Sequence, residues 1–135
     1  MATQHKGLTW AGRIIASLVV AMLTFSAVAK FSDGAATEFE RLGYTKDVIV
    51  PIAIIELVCA IIYAVPQTAV LGAVLLTGYL GGATATHVRA GDAFGQFISP
   101  VVGGVLVWLG IFLRDPRLRA LMPWRNPTPP VTPRD

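Results

Sequence analysis

Hydrophobic residues along this chain gather into four long runs, and none of the runs shows the polar stripe that a soluble amphipathic helix repeats at helical period. The first extends from about Trp10 to Phe31, with no charge between Ile14 and Ala29. The second runs from Val48 to Val65 and is interrupted by Glu56; the third runs from Thr68 to Val88 and the fourth from Phe94 to Leu113. About 20 apolar residues rising about 1.5 Å each cross about 30 Å of hydrocarbon. Each run therefore predicts a membrane span. The fold class is all-α, a four-helix transmembrane bundle in up-down-up-down order.

The connections support that order. Pro66-Gln67 joins the second and third runs by a turn so short that the two helices must be antiparallel neighbours. A second tight turn lies at Arg89-Ala90-Gly91-Asp92. The longer loop from Ser32 to Asp47 carries both charge signs, and its Phe39 and Leu42 suit a short helix at the membrane surface. The domain reading is an N-terminal tail over residues 1–9, a membrane domain over 10–113, and a basic, proline-rich tail over 114–135. The first part of that last tail is expected on the lipid headgroups, with Trp124 as an anchor, and its end is expected to be disordered. Ala27-Val28-Ala29 imitates a signal-peptide cleavage site, but the length of the run and the nearby Arg13 favour its retention as a first span.

Composition narrows the functional classes. Of 135 residues, 54% are hydrophobic and 14% charged, against about 25% charged in soluble domains. The formal charge of +3 sits at segment ends rather than along a face, so nucleic acid is not an expected partner. The single cysteine, Cys59, excludes an internal disulfide, a dithiol couple and a thiolate zinc site. Lys6, Arg13, Arg114, Arg117, Arg119, Arg125 and Arg134 flank one side, and Lys30, Arg41, Lys46 and Arg89 the other. That excess predicts both termini in the cytoplasm of a plasma-membrane protein, with the lipid bilayer as its first partner.

Between membrane helices, small and polar residues decide packing. Gly72, Gly78, Gly81 and Gly82 on the third run, with Gly103, Gly104 and Gly110 on the fourth, suit close backbone approach. The contact is expected within the bundle, with a second copy or with a partner membrane protein, Gly78, Gly82, Gly103 and Gly104 being the candidate faces. Pro100 removes a helix hydrogen bond and is expected to kink its span.

Glu56 calls for explanation, because a carboxylate in the bilayer is costly and marks a functional site by default. Counting depth from the loop ends puts Glu56, Tyr79 and Thr24 in one layer about 10–14 Å from the surface. Tyr79 and Thr24 would each donate a hydrogen bond to the carboxylate. Lys30, His87, Arg89 and Gln96 form a second polar layer nearer the surface. Lys30 or Arg89 either snorkels to water or bends inward to neutralise Glu56. His87 is an interfacial histidine or, less favoured, a base. Ile52, Glu56, Cys59 and Tyr63 share one helix face, which turns Cys59 inward as packing. His5, His87, Cys59 and one internal carboxylate make no recognisable metal set, and no phosphate-loop or nucleophile motif occurs.

The run from Glu56 through Pro66-Gln67-Thr68-Ala69-Val70-Leu71-Gly72-Ala73 to Leu76-Thr77-Gly78-Tyr79-Leu80-Gly81-Gly82-Ala83-Thr84-Ala85-Thr86-His87-Val88-Arg89 resembles the DoxX-like family of small four-helix membrane proteins. Phe39-Glu40-Arg41-Leu42-Gly43-Tyr44, Trp108-Leu109-Gly110 and Leu113-Arg114-Asp115-Pro116-Arg117-Leu118-Arg119-Ala120-Leu121 match the same pattern. The resemblance covers about residues 10 to 124. It implies a membrane bundle linked to redox complexes or to receptor assembly, and it carries over no catalytic residues. With one cysteine, a redox role would need a bound quinone, a flavin or a partner subunit.

Three functional readings follow. In the first, a non-catalytic accessory or binding subunit holds a lipophilic small molecule or quinone near Glu56, Tyr79, Thr24, His87, Lys30, Arg89 and Gln96. In the second, Glu56 is the proton donor of an acid–base enzyme acting on a lipophilic substrate. In the third, the glycine faces assemble another membrane protein. Transport fits poorly, because four short spans show no inverted repeat.

Overall fold

The computed structural model describes residues 2–124, with side chains from residue 6 onward. Arg125, Arg134 and the proline-rich end of the tail lie outside the described residues, as does the side chain of His5. The elements in order are α1 (Ala2–Ala29), α2 (Ala35–Arg41), a 3-10 turn (Lys46–Val48), α3 (Ile49–Ala64), α4 (Ala69–Arg89), α5 (Phe94–Arg114) and α6 (Pro116–Leu121). No strand occurs among the described residues.

Four helical stretches, Lys6–Ala29 of α1, Lys46–Ala64 (the 3-10 turn with α3), α4 and α5, are long and apolar enough to cross a membrane. α1 begins at Ala2, well before Trp10, because no proline separates the expected tail from the first span. α5 continues through Pro100 from Phe94 to Arg114. The basic stretch that follows is helical too: Pro116 occupies the first turn of α6, and the Asp115 side chain caps it by accepting from the Arg117 N–H at 2.9 Å.

The spans form a ring. α1 packs on α3 and α5, and α4 packs on α3 and α5. Each buries a stripe at helical spacing: Ala16, Val19, Leu23 and Ala27 on α1, Ala53, Glu56, Ala60 and Tyr63 on α3, Leu76 and Leu80 on α4, Val107 and Ile111 on α5. The opposite faces carry large apolar side chains in the open, among them Leu18, Phe25, Ile54, Ile61, Leu71 and Val105. A soluble monomer does not leave such a belt uncovered. Acyl chains are its natural cover.

Backbones meet most closely at one end of the ring. A methyl group on Gly72 would stand 2.4 Å from the Tyr63 Cα, one on Gly12 would stand 2.8 Å from the Gly110 carbonyl oxygen, and one on Gly110 2.8 Å from the Tyr63 hydroxyl. Tyr63 is fully buried and reaches across the ring to donate to the Val107 carbonyl at 2.8 Å. Within the chain, then, close approach belongs to Gly12, Gly72 and Gly110. Gly78, Gly81 and Gly82 have no heavy atom within 4 Å of a built Cβ, and Gly103 and Gly104 meet only side-chain atoms at ordinary contact distance. The small-residue spacing alone carries no information on which glycines meet a neighbour.

Candidate functional site

The other end of the ring opens into a cavity of about 670 Å3. Met22, Leu23 and Ser26 of α1, Ile52 and Glu56 of α3, Gly78, Tyr79, Gly82, Ala83 and His87 of α4, and Gln96, Ser99, Pro100 and Gly103 of α5 form its walls. Ala35, Glu38 and Phe39 of α2, with Leu42 and Tyr44, cover it. The short helix expected in the first loop is therefore real, and its Phe39 and Leu42 line the cavity.

At the deep end, Glu56 is 2% exposed and Lys30, just past the end of α1, is 13% exposed. Lys30 Nζ donates to Glu56 Oε2 at 2.6 Å, to Ser26 Oγ at 3.0 Å and to the Ser26 carbonyl at 3.3 Å. Of the two routes open to Lys30 from sequence, the inward one is taken. Three acceptors use the three ammonium protons, so the buried cation is satisfied. Tyr79 interacts with Glu56 from α4, as the depth count requires.

Thr24 does not join this layer. Its hydroxyl donates to the Val20 carbonyl of its own helix at 2.8 Å, and it lies outside the cavity wall. Ser26 takes the place expected of it, because a residue four before Lys30 shares Lys30's face of the helix. Depth fixes height along a helix but not phase around it. Arg89 also turns away: it donates to the Leu42 carbonyl at 2.8 Å and stands over the Tyr44 ring. Gln96 and His87 do reach the cavity.

His87 sits in a cluster that spacing alone did not reveal. Its Nδ1 is 2.6 Å from Asp92 Oδ2, and Asp92 takes Arg41 through both oxygens, at 2.6 and 3.1 Å. Arg41 also donates to both Glu38 oxygens, at 3.0 and 2.6 Å. The bonds from Arg41, then His87, hold the Asp92 carboxyl down to about 2, and the bond from Arg41 holds the Glu38 carboxyl below its ordinary value.

The local backbone explains how Asp92 finds His87. α4 ends in a Schellman turn, with Gly91 at φ 72°, the Gly91 N–H bonded to the Val88 carbonyl and the Asp92 N–H to the His87 carbonyl. The turn folds the sixth residue back on the first, which brings the Asp92 side chain to the imidazole. α2 ends in the same way around Gly43 at φ 85°, and there the returning residue, Tyr44, packs its ring at a tilt against Phe39 with ring centroids 5.8 Å apart. A glycine after a helical pattern was the available sequence signal; its corollary, that residue 92 returns to residue 87, is what the turn chemistry adds. Tyr44 in turn contacts Thr86 Oγ at 2.8 Å. Thr86 gives its proton to the Gly82 carbonyl at 2.9 Å, so Tyr44 is the donor in the first bond.

The site is thus an apolar chamber with an ion pair at its depth, a phenol beside that pair, and an imidazole near its cover. Such a chamber suits a molecule with an apolar body and an oxygen-bearing head. No curated protein and no solved structure matches the chain. The family model described as DoxX-like matches residues 14–110, which takes in α3, α4 and most of α1 and α5. With four apolar helices and that match over most of its length, this chain is a multi-pass membrane protein of the DoxX-like family.

Proposed function

We propose that this protein is a binding subunit that holds a lipophilic small molecule with an oxygen-bearing head, a quinone being one candidate, in the chamber beside Glu56. One observation carries the reading: a cavity of about 670 Å3 has Glu56, Lys30, Tyr79, His87 and Gln96 along otherwise apolar walls. That volume lies within the range of about 300–1,000 Å3 usual for small-molecule sites. The acid–base alternative asks Glu56 to give up a proton while bonded to Lys30 at 2.6 Å, so the ion pair favours binding over catalysis.

The same proposal sets the chamber at the extracytoplasmic face of a plasma membrane, with alternating spans and both termini cytoplasmic. Alternation draws support from the pairing of contacts. Tyr63 meets Gly72 while Glu56 meets Tyr79, and Leu80 meets Gly103 while Thr77 meets Trp108, at 2.9 Å. In each pair one residue number rises as the other falls. The Lys and Arg excess near the termini supports the orientation. A second reading, assembly with another membrane protein or a second copy through Gly78 and Gly82, draws less support, because both glycines line the chamber.

Thermal unfolding of the detergent-purified protein, titrated with a short-chain quinone, tests the binding reading. The wild type should be stabilised in a saturable way, and Tyr79→Phe and Glu56→Gln should shift the midpoint concentration upward. Equal responses in all three proteins would remove the ion-pair end of the chamber from the site.

A further inference from the structure

Cations are treated differently at the two ends of the ring. At the α2 end Lys30, Arg41, Lys46 and His87 each meet a carboxylate, at 2.6 to 3.4 Å. The Tyr63 end holds Lys6, Arg13, Arg114, Arg117 and Arg119, and among the described residues none of them has an ion pair. Asp115 is the one described carboxylate there, and it is engaged with the Arg117 backbone N–H. Arg114 lies over the Tyr63 ring at 5.5 Å, and its buried Nη2 has no hydrogen-bond partner. Beside these charges the chain folds back on itself. Asp115 is extended, and α6 turns from it to lie against α5. Leu118 and Met122, one turn apart on α6, border a groove of about 240 Å3 with Val105, Trp108, Leu109 and Phe112 of α5. Every residue lining it is apolar. Arg117 and Arg119 stand on α6 about 100° to either side of Leu118. α6 follows directly on the end of a span, so its arginines come at headgroup level while the groove runs back toward the acyl chains.

We infer that the groove between α5 and α6 is a site for an anionic phospholipid, with an acyl chain along Trp108 and Leu109 and the headgroup phosphate held by Arg117 and Arg119. The occupant has to bring hydrocarbon and negative charge in one molecule, and the bilayer around the spans supplies one. A guanidinium takes a phosphate through paired N–H bonds. A zwitterionic lipid brings the same chain and phosphate, but its own ammonium offsets the charge, so the net charge of the headgroup decides between them. The site lies at the opposite end of the ring from the chamber and does not depend on what the chamber holds.

Trp108 on the groove wall is the reporter. The full chain carrying Trp10→Phe and Trp124→Phe, both at exposed positions, keeps Trp108 as its only indole. It is placed in phosphatidylcholine vesicles at about 0.15 M salt. Either phosphatidylglycerol or phosphatidylcholine brominated at mid-chain is then titrated in, and quenching of Trp108 gives the relative affinity of the two lipids. Phosphatidylglycerol should be preferred about twentyfold, about fivefold from each arginine. Arg117→Gln and Arg119→Gln should each lower the preference about fivefold, and the two together should bring it close to one. Lys6→Gln with Arg13→Gln removes the same charge from α1 at the same end and should leave the preference where it was. Loosening of the fold would weaken quenching by both lipids alike and would not move the ratio. Equal quenching by the two lipids in the parent protein overturns the proposal. An equal fall in the α1 and α6 variants also overturns it, because the enrichment is then diffuse attraction to a basic surface. Absence of quenching by either lipid means that acyl chains do not enter the groove, and leaves it to a protein partner.

Discussion

The two ends of this bundle use the same residue types for opposite purposes. At the Tyr63 end, glycine brings helices together until no methyl group fits between them, and the Tyr63 hydroxyl spans the ring to a carbonyl. At the α2 end, glycines border an open chamber, and the polar side chains bond in pairs along its wall. Dry contact at one end holds the helices in register. That rigidity lets them part at the other without exposing a charge, since every buried charge there has a partner. A lipid-facing exterior cannot drive helices together by hydrophobicity, so the tight end supplies cohesion for the whole.

The largest expected effect breaks the tight end. Gly72→Leu sets side-chain carbon against the Tyr63 backbone, where even a methyl group would stand at 2.4 Å, and should lower stability by about 4 kcal/mol in detergent melts. Gly78→Ala, which meets nothing, should leave the melting temperature unchanged or slightly raised. If the two variants melt alike, the contrast between the ends is void. Next comes Glu56→Gln, which strands a partly buried ammonium. A loss of about 2–3 kcal/mol is expected, smaller than for a fully buried pair because Lys30 can swing toward water. Replacing Lys30 and Glu56 together with methionine should recover most of it.

How much of this was legible in the sequence depended on which geometric quantity a residue pattern encodes. The spans followed from length, and the pairing of Glu56 with Tyr79 from the fixed rise per residue, since height needs only counting. Ser26 in place of Thr24 turned on rotation around the helix axis, which a depth count ignores. The inward course of Lys30 depended on three acceptors converging from two elements, information no single helix holds. Asp92 looked like part of a turn and no more. Its role emerges from the hydrogen-bond pattern of that turn, which sets its side chain against His87 and, through Arg41, against α2.

Two smaller effects sharpen the comparison. Tyr63→Phe keeps the ring and loses the bond to Val107, which should cost about 1–2 kcal/mol and leave chamber binding intact. At the α2 end, acid is the probe. The Asp92 carboxyl ordinarily titrates at 3.8 and is held down to about 2, so its contribution to stability is complete above about pH 4 and fades as pH falls toward 2. Melts of the wild type should show that slope, and Asp92→Asn should flatten it.

The two Schellman turns are fastened to each other crosswise. The arginine of the first holds the aspartate of the second, and the arginine of the second holds the terminal carbonyl of the first. Every one of these fastenings is ionic or charge-assisted, and Arg41 is 41% exposed, so dissolved electrolyte reaches and weakens them. The roof of the chamber is accordingly latched by exposed charges that answer to ionic strength, while the packing around Tyr63 rests on glycine contacts and a neutral hydroxyl bond. Raising the salt should hasten amide exchange across residues 35–44 and leave that of residues 59–63 unmoved.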